Sequence, residues 1–275
     1  MINTFDSPVS QWMVSPVFTI REKARLAEAA SLFAELRVSA LPVLDSSSRL
    51  TGIISRSDLM QAGRFVRESR EEERRLRLPE VSVSELTNGR VPVIRRDLTL
   101  SDCARRMVKQ QVYRLYVAED GPLEGVISTR EMQRAVAEAR IETPLDVILT
   151  RTVEAVAAEC PLATATARLF ADPSLTLIVT RSGVPVGLFS EQEAAVAREA
   201  DPTDCVELWM DGSVLSLSGQ TPLHLAAERA YESRCRYIVA HDGADNEAAA
   251  RVTGFTSGMG FAKIVAEHAN RPARA

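Results

Sequence analysis

The residues whose type and spacing could do chemistry are a serine and an acidic residue three positions later. This pair occurs three times, as Ser55 with Asp58, Ser128 with Glu131 and Ser190 with Glu193. Each serine directly follows a short apolar segment that is typical of a β-strand, so a helix is predicted to begin there. The free backbone N–H groups and the dipole at such a helix start favour an anion such as a phosphate. The same two side chains can instead form a capping box that satisfies those N–H groups without any ligand.

The other residue types that carry chemistry are dispersed along the chain. The four cysteines are Cys103, Cys160, Cys205 and Cys235, with no C-x-x-C motif and no histidine nearby. This spacing predicts reduced thiols, mostly buried, and no zinc site. A catalytic site would need a nucleophile, a metal cluster or a paired acid and base in a cleft, and only scattered candidates such as Cys235, His241 and Asp242 are present. We therefore predict no catalytic residue, no metal site, no required cofactor and no enzyme.

Each serine and acid pair lies at the end of a repeat that occurs four times. The closing segments begin at Gly52, Gly125, Gly187 and Gly254, which are 73, 62 and 67 residues apart. Upstream of each glycine, a leucine begins a helical apolar stripe, and a strand residue follows 15 positions later. The fourth copy has Gly260 in place of the acid, within a glycine-rich stretch. That stretch indicates either a tight strand-to-helix turn or a backbone anion site.

Within one repeat the pattern predicts a strand, a helix, a β-hairpin and a second helix. In the first copy the apolar segments 41–44 and 51–54 flank the polar turn 45–49, which is typical of a hairpin. A three-stranded sheet with helices on one face leaves its other face uncovered, so two repeats are expected to pack sheet to sheet. We predict an α/β (α+β) fold with two units. They are residues 7–139, with repeats 7–66 and 81–139, and residues 140–268, with repeats 140–199 and 203–268.

Two segments fall outside the repeat pattern. Residues 67–80 contain opposite charges three or four positions apart, such as Arg67 with Glu71 and Glu73 with Arg77. This spacing predicts a charged helical linker, and a helix that binds a partner is the alternative. Residues 242–250 are predicted to form an exposed loop in the hairpin of the fourth copy.

Composition and charge argue against a nucleic-acid-binding protein and against a membrane protein. The 275 residues include 33 basic and 37 acidic side chains, which gives a net charge of −4. No general attraction to nucleic acid is expected from this balance. No secretory signal or apolar stretch long enough to span a bilayer is seen, so we expect a cytoplasmic protein without membrane insertion.

The first copy closely resembles a known domain. Arg37–Asp45 followed by Gly52–Leu59 is similar to the cystathionine β-synthase (CBS) domain, a repeat that is used in pairs called Bateman modules. The other three copies resemble it more loosely, and the resemblance extends over roughly residues 7 to 268. It implies four CBS repeats paired into two Bateman modules.

The resemblance also implies a ligand, because members of the family bind adenosine-containing molecules between paired repeats. The candidates are AMP, ADP, ATP and S-adenosylmethionine, each acting as an effector. By resemblance Asp58 would accept hydrogen bonds from the ribose hydroxyls, and Ser55 and Arg56 would bind the phosphate. The adenine would lie near Thr19, Val38, Ser39, Ala40 and Pro42. Arg114, Ser128, Arg130 and Glu131 form a further group, for a second site or a phosphate contact.

These expectations lead to two alternative functions. The first is a stand-alone regulatory sensor that binds an adenine nucleotide in the first CBS pair and transmits its occupancy to an unidentified effector protein. The second is a non-catalytic scaffold or oligomerisation subunit that binds no nucleotide. The glutamates at positions 131 and 193 replace the aspartate that the family uses, which argues against nucleotide binding at the second and third copies. The second module is expected to be structural or differently tuned. A homodimer is expected, although two modules could also close face to face within one chain.

Overall fold

The computed structural model describes residues 4–36, 38–67, 74–87, 89, 91–119, 122–172, 174–198, 200–243 and 251–268. The chain divides into two compact units. The larger comprises Met1–Trp12, Asp97–Arg114 and Ile127–Ala275, and the smaller comprises Met13–Arg96 and Leu115–Val126. The second repeat therefore contributes to both units, and the domain boundaries given above stay a prediction.

In the smaller unit the first repeat has the predicted order of elements. Strand β1 (Ile20–Arg21) pairs in parallel with β2 (Ala40–Leu44), which pairs antiparallel with β3 (Leu50–Ser55). Helix α1 (Leu26–Leu36) precedes β2, and α2 (Arg56–Ala62) follows β3. The buried stripe of α1 packs on the sheet through Leu26, Ala29, Phe33, Leu41, Val43 and Ile54.

The predicted helical linker at residues 67–80 is wrong where the structure describes it. Strand β4 (Arg64–Arg67) pairs antiparallel with β5 (Arg74–Arg77) in a two-stranded sheet. Helical charge pairs stabilise a helix by only about 0.2–0.5 kcal/mol each, and Phe65 and Val66 favour a strand. The charge pairs of the prediction include residues 68–73, which lie outside the described residues, as do residues 244–250 of the predicted exposed loop.

The second repeat has the same order as the first. Strand β6 (Val93–Ile94) precedes helix α3 (Leu100–Gln110), and β7 (Arg114–Val117) and β8 (Gly125–Ser128) precede α4 (Thr129–Glu138). The strands form a sheet in the order β6-β7-β8. In the larger unit Leu100, Cys103, Ala104 and Met107 of α3 are all fully buried, as their helical spacing predicts.

The third and fourth repeats both belong to the larger unit and pack sheet to sheet. Their elements are β9 (Val153–Ala157), α5 (Leu162–Ala171), β10 (Thr176–Arg181), β11 (Val184–Phe189), α6 (Glu191–Val196), β12 (Val214–Ser218), α7 (Leu223–Ser233), β13 (Tyr237–His241), β14 (Val252–Ser257) and α8 (Gly258–His268). The sheets are β11-β10-β9 and β12-β13-β14. Ile178 and Leu188 of the third repeat form one buried cluster with Val239 of the fourth. The predicted packing of two repeats is confirmed here.

The helices of the second repeat pack against those of the fourth within the larger unit. Helix α3 contacts α8, and α4 contacts both α7 and α8. Arg105 Nη1 donates a hydrogen bond to the backbone oxygen of Ala266 at 3.3 Å. Repeats of the two predicted modules therefore contact each other inside one chain.

Two further sequence expectations can be compared with the structure. All four cysteines are free, but only Cys103 is buried, whereas the other three are half-buried. The expectation that the thiols are mostly buried is therefore wrong. Among the helices that the structure describes, none combines the length and the apolar character needed to cross a membrane.

Candidate functional site

The turn from β3 into α2 holds the serine and aspartate of the first copy. Ser55 is the N-cap of α2, with φ −118° and ψ 165°. Its backbone nitrogen and its Oγ donate hydrogen bonds to Asp58 Oδ2 at 2.6 and 2.7 Å, and its Oγ accepts one from Asp58 N at 3.2 Å. The predicted capping box is therefore present. In the described part of the chain both bonds to the carboxylate use Oδ2, which leaves Oδ1 of the half-buried Asp58 as an acceptor.

The structure brings most of the residues predicted for the first site around this turn. Ala40 lies opposite Ser55 in the antiparallel pair β2-β3. Arg56 N donates to Ser39 O at 3.1 Å, which fixes the segment before β2 against the start of α2. Thr19 directly precedes β1, on the far side of β2. Pro42 is buried within β2, so only the more exposed start of that strand borders the turn.

The Arg56 side chain binds backbone carbonyls of its own repeat. Its Nε donates to Val38 O at 2.8 Å, and its Nη2 donates to Phe33 O at 2.5 Å. Phe33 lies near the carboxyl end of α1, where a positive charge is favourable for the helix dipole. Arg56 therefore joins α1 to α2, and a phosphate contact would have to use its remaining donors.

Most of the residues predicted as a second group also form hydrogen bonds within the protein. Ser128 N and Ser128 Oγ each donate to Glu131 Oε2 at 2.7 Å, and Glu131 is only 4% exposed. Arg130 Nη2 donates to Tyr231 O at 2.9 Å, and the guanidinium lies 4.4 Å from the centre of the Tyr231 ring. Arg114 is the first residue of β7. Arg130 thus contributes to the contact between α4 and α7.

The third and fourth copies differ from each other. Ser190 N and Ser190 Oγ donate to Glu193 Oε2 at 3.0 and 2.5 Å, which completes a third capping box. In the fourth copy a Cβ atom at Gly260 would meet Thr256 Oγ1 and the Ile148 side chain at close range. This position therefore has no room for the missing acid.

The third and fourth repeats also enclose a cavity of about 260 Å³ that the sequence analysis missed. Its lining includes Tyr113, Glu193, Tyr237, Ser257 and Lys263, and none of the residues predicted as site residues lines it. Burial raises the pKa of Tyr237 to about 12, although the positive charge of Arg236 opposes this. The lining residues come from three repeats that are distant in sequence, and they include Ser190 and Glu193 of the third closing segment and Gly260 of the fourth. Among the residues that the structure describes, no His, Cys, Asp and Glu cluster is suited to hold a metal.

Comparison with protein families finds two matches. The CBS domain matches residues 9–64 and 83–138, and the ankyrin repeat matches residues 218–251. The second match includes the sequence Thr-Pro-Leu-His-Leu-Ala at positions 221–226, which is typical of an ankyrin repeat. An ankyrin repeat has two helices, whereas α7 is followed here by the strand β13. No curated protein matches the chain.

Solved structures match over nearly the whole chain. Protein MJ1225 from Methanocaldococcus jannaschii, a proposed archaeal homologue of γ-AMPK, gives a TM-score of 0.69 at 15% identity, covering 94% of this chain and 99% of its own. A conserved protein from Pyrococcus horikoshii gives 0.59 at 20% identity, with the same coverage of 94% and 99%. A shorter structure, CBSX2 in complex with AMP, gives 0.40 at 23% identity, covering 48% of this chain and 97% of its own.

The family match and the fold agree on the repeating unit. The matched ranges contain the first two repeats, and the third and fourth repeats have the same order of strand, helix, hairpin and helix. Two solved structures share this fold over 94% of the chain. Residues 9–64 and 83–138 are therefore two CBS domains, and the third and fourth repeats share their order of elements.

Proposed function

We propose that this protein is a regulatory ligand sensor that binds an adenine nucleotide in its first CBS pair and transmits the occupancy to an effector protein. The observation that carries the proposal is the arrangement of Asp58. Among the four closing segments, the first has aspartate at this position, whereas the others have Glu131, Glu193 and Gly260. Ser55 holds one oxygen of Asp58 and leaves the other as an acceptor.

A carboxylate fixed in this way suits a ribose. Two neighbouring hydroxyls can donate to one carboxylate, and hydrogen bonds to a charged group contribute about 1.5–3 kcal/mol each. Asp58 is half-buried, whereas Glu131 in the second copy is 4% exposed. The first copy therefore offers its acid to a ligand more readily than the second copy does.

Regulation requires that the ligand bind two states of the protein with different affinity. The contacts of α3 and α4 with α7 and α8 join the second repeat to the fourth. We propose that a nucleotide changes the affinity for an effector through this helical contact. The role involves no bond-making step, so the proposed sensor is not an enzyme and needs no cofactor. We also propose a homodimer in the cytoplasm.

The capping boxes support the alternative of a scaffold that binds no nucleotide. Three closing segments already satisfy their helix starts with their own side chains. A scaffold would need nothing more from these residues than this local stabilisation. The two functions differ in whether a nucleotide stabilises the folded protein.

Thermal unfolding with AMP, ADP, ATP and S-adenosylmethionine distinguishes the two functions. A ligand at a hundred times its Kd adds about 2.7 kcal/mol of stability, and each kcal/mol raises Tm by about 2–4 °C in a chain of this size. We expect one of these ligands to raise the Tm of the wild type. Asp58→Ala should abolish the shift.

Two further variants separate binding from capping. Asp58→Glu keeps an acid of the type that caps the second and third copies, but moves the carboxylate, so it should unfold like the wild type and lose the ligand shift. Glu193→Ala removes a capping acid from the third copy and should keep the shift. An unchanged shift in Asp58→Ala, or no shift with any ligand in the wild type, would refute the proposed site.

A further inference from the structure

The first helix of a repeat has an outer face that is covered in two repeats of the larger unit and exposed in the third. The fifth residue of this helix is Ala104 in α3 and Ala227 in α7, and both are fully buried. These two helices take part in the contact between the second and fourth repeats. Thr166 has the same position in α5, where it is only half-buried. The third repeat therefore exposes a face that the second and fourth repeats use for packing.

The most exposed large apolar side chain among the described residues lies on this face. Phe170 is 81% exposed. It lies eight residues after the leucine that begins α5, as Tyr231 lies eight residues after the leucine that begins α7. Arg130 of the second repeat contacts the ring and the backbone oxygen of Tyr231. This helical position therefore packs against another repeat in α7, whereas its equivalent in α5 is open to solvent.

Phe170 also lines a groove of about 290 Å³ between α5 and the end of α6. The other lining side chains are mostly small or apolar, and they include Ala163, Ala167, Ala194, Ala197 and Pro202. Exposed apolar surfaces of this kind mark sites of interaction. The α5–α6 face, which we define as Phe170 and this groove, combines an exposed aromatic ring with a recess that a large apolar side chain would fill.

The contact between the second and fourth repeats indicates how two such faces pair. Helix α3 contacts α8, and α4 contacts α7. The first helix of each repeat thus meets the second helix of the other repeat. This reciprocal pattern is that of a two-fold axis, about which a surface pairs with an identical copy of itself. Two copies of the third repeat fit the same arrangement, with α5 of one copy on α6 of the other.

We propose that the α5–α6 face is the surface through which two copies of this chain form a dimer. Phe170 of each copy would enter the groove of the other copy, so that both aromatic rings leave water at one interface. Aromatic side chains in such pockets commonly contribute most of the binding energy of an interface. The inference rests on the homodimer proposed above and names its surface, whereas the nucleotide site at Asp58 does not depend on it.

Other occupants fit this face less well. Helix α1 of the first repeat has Ala34 at the position of Phe170, with Ala27 and Ser31 exposed on the same face. These side chains are too small to fill the groove. Among the described residues that line the groove, Arg198 alone is ionisable, so a highly charged partner would lose hydration without gaining ion pairs. A second copy brings a large aromatic side chain and little charge.

The proposal is tested first by sedimentation equilibrium of the full chain. We expect a species of twice the mass of one chain at about 10 μM. Phe170→Glu should raise the dissociation constant of the dimer about tenfold or more, and Phe170→Leu should raise it less. The control is Val147→Glu, at another exposed apolar residue, in the short helix Leu145–Ile148 that contacts α8. This control should leave the dissociation constant unchanged. A monomeric wild type, or equal effects of the two glutamate substitutions, would overturn the proposal.

Photocrosslinking identifies what the face contacts. With p-benzoylphenylalanine in place of Phe170, we expect a product of twice the mass of one chain. In a mixture of ¹⁵N-labelled and unlabelled copies, mass spectrometry should find residue 170 of one copy attached to α5 or α6 of the other. Attachment to α1 or α2, or a product with the mass of a single chain alone, would overturn the proposal.

Two variants separate this proposal from the proposed nucleotide site. Asp58→Ala should remain a dimer, and Phe170→Glu should keep the ligand-dependent rise in Tm. Loss of the dimer in Asp58→Ala to the same extent as in Phe170→Glu would contradict the assignment of the interface to the α5–α6 face. Absence of a ligand shift in a dimeric wild type would refute the nucleotide site alone.

Discussion

Ser55 and Asp58 are joined by three hydrogen bonds within the first turn of α2, two of them to Asp58 Oδ2. The position that the CBS resemblance assigns to the ribose is therefore also part of a helix cap. A ligand and a cap can share this carboxylate because it has two oxygens. A variant that lacks the Asp58 side chain cannot separate the two roles, since it changes the stability of the fold as well as ligand binding.

The cap at Ser55 can be measured by itself. Ser55→Ala removes the hydroxyl that binds both Asp58 N and Asp58 Oδ2, and loss of an N-cap costs about 0.5–2 kcal/mol. We expect the free energy of unfolding in urea to fall by about 1 kcal/mol. Ser57→Ala, at an exposed position in the same helix, is the control and should change it little. Equal effects of the two substitutions would contradict the capping role.

The Arg130 side chain should stabilise the contact between α4 and α7. Arg130→Met removes a hydrogen bond to Tyr231 O and a cation–π contact with the Tyr231 ring. Together these contribute about 1–2 kcal/mol. We expect this loss in urea unfolding, and a smaller one for Arg130→Lys. Arg106→Met, at an exposed position on α3, is the control, and an equal loss in that variant would show that the Tyr231 contact contributes nothing.

The repeat was predictable because its signals are local. The spacing of Leu26, Ala29 and Phe33 marks a helix face, and the polar turn 45–49 between apolar segments marks a hairpin. The hairpin of β4 and β5 was not predicted, because its charges also fit a helix. Phe65 and Val66 favour a strand, but two such residues do not outweigh the helical spacing of the charges when the sequence alone is considered.

The candidate site was predictable only in part. The sequence places Ser55, Arg56 and Asp58 at one helix start, and the structure has them there. It does not reveal that Arg56 binds a carbonyl of Phe33, since that contact joins residues 23 positions apart. The cavity between the third and fourth repeats also depends on Tyr113 from the second repeat. Such contacts arise from packing of distant segments, which short motifs do not encode.

The pair of Asp102 and Arg105 should make stability depend on acid pH. The hydrogen bond from Arg105 and, to a smaller extent, that from Thr99 hold the pKa of Asp102 below its ordinary value. A depressed pKa adds stability above the unfolded-state pKa of about 3.9 and loses it as pH falls through the folded-state value. Both side chains are over 40% exposed, so the contribution is below about 1 kcal/mol.

The measurement compares Asp102→Asn with the wild type by urea unfolding from pH 7 to pH 3. We expect the wild type to be more stable from pH 7 to about pH 5, with the difference shrinking below about pH 4. Arg105→Gln removes the main cause of the lowered pKa and should show a smaller dependence on pH than the wild type. A difference between Asp102→Asn and the wild type that grows on acidification would contradict the sign of the shift.

The close approach at Gly260 should prevent the fourth copy from regaining a side chain. A Cβ at this position would overlap Thr256 Oγ1 and approach Ile148 Cδ1 at 3.1 Å, and overpacking of this kind costs about 1–3 kcal/mol. We expect Gly260→Ala to destabilise the chain in urea, but by less than that amount, because alanine favours a helix over glycine by about 1 kcal/mol. Because Thr256→Ala removes the overlapping hydroxyl, Gly260→Ala should cost at least about 1 kcal/mol less in that variant. Additive effects of the two substitutions would show that Thr256 is not the obstacle. The overlap also predicts that Gly260→Asp, which restores the acid, destabilises the chain as Gly260→Ala does, because both substitutions introduce the same Cβ.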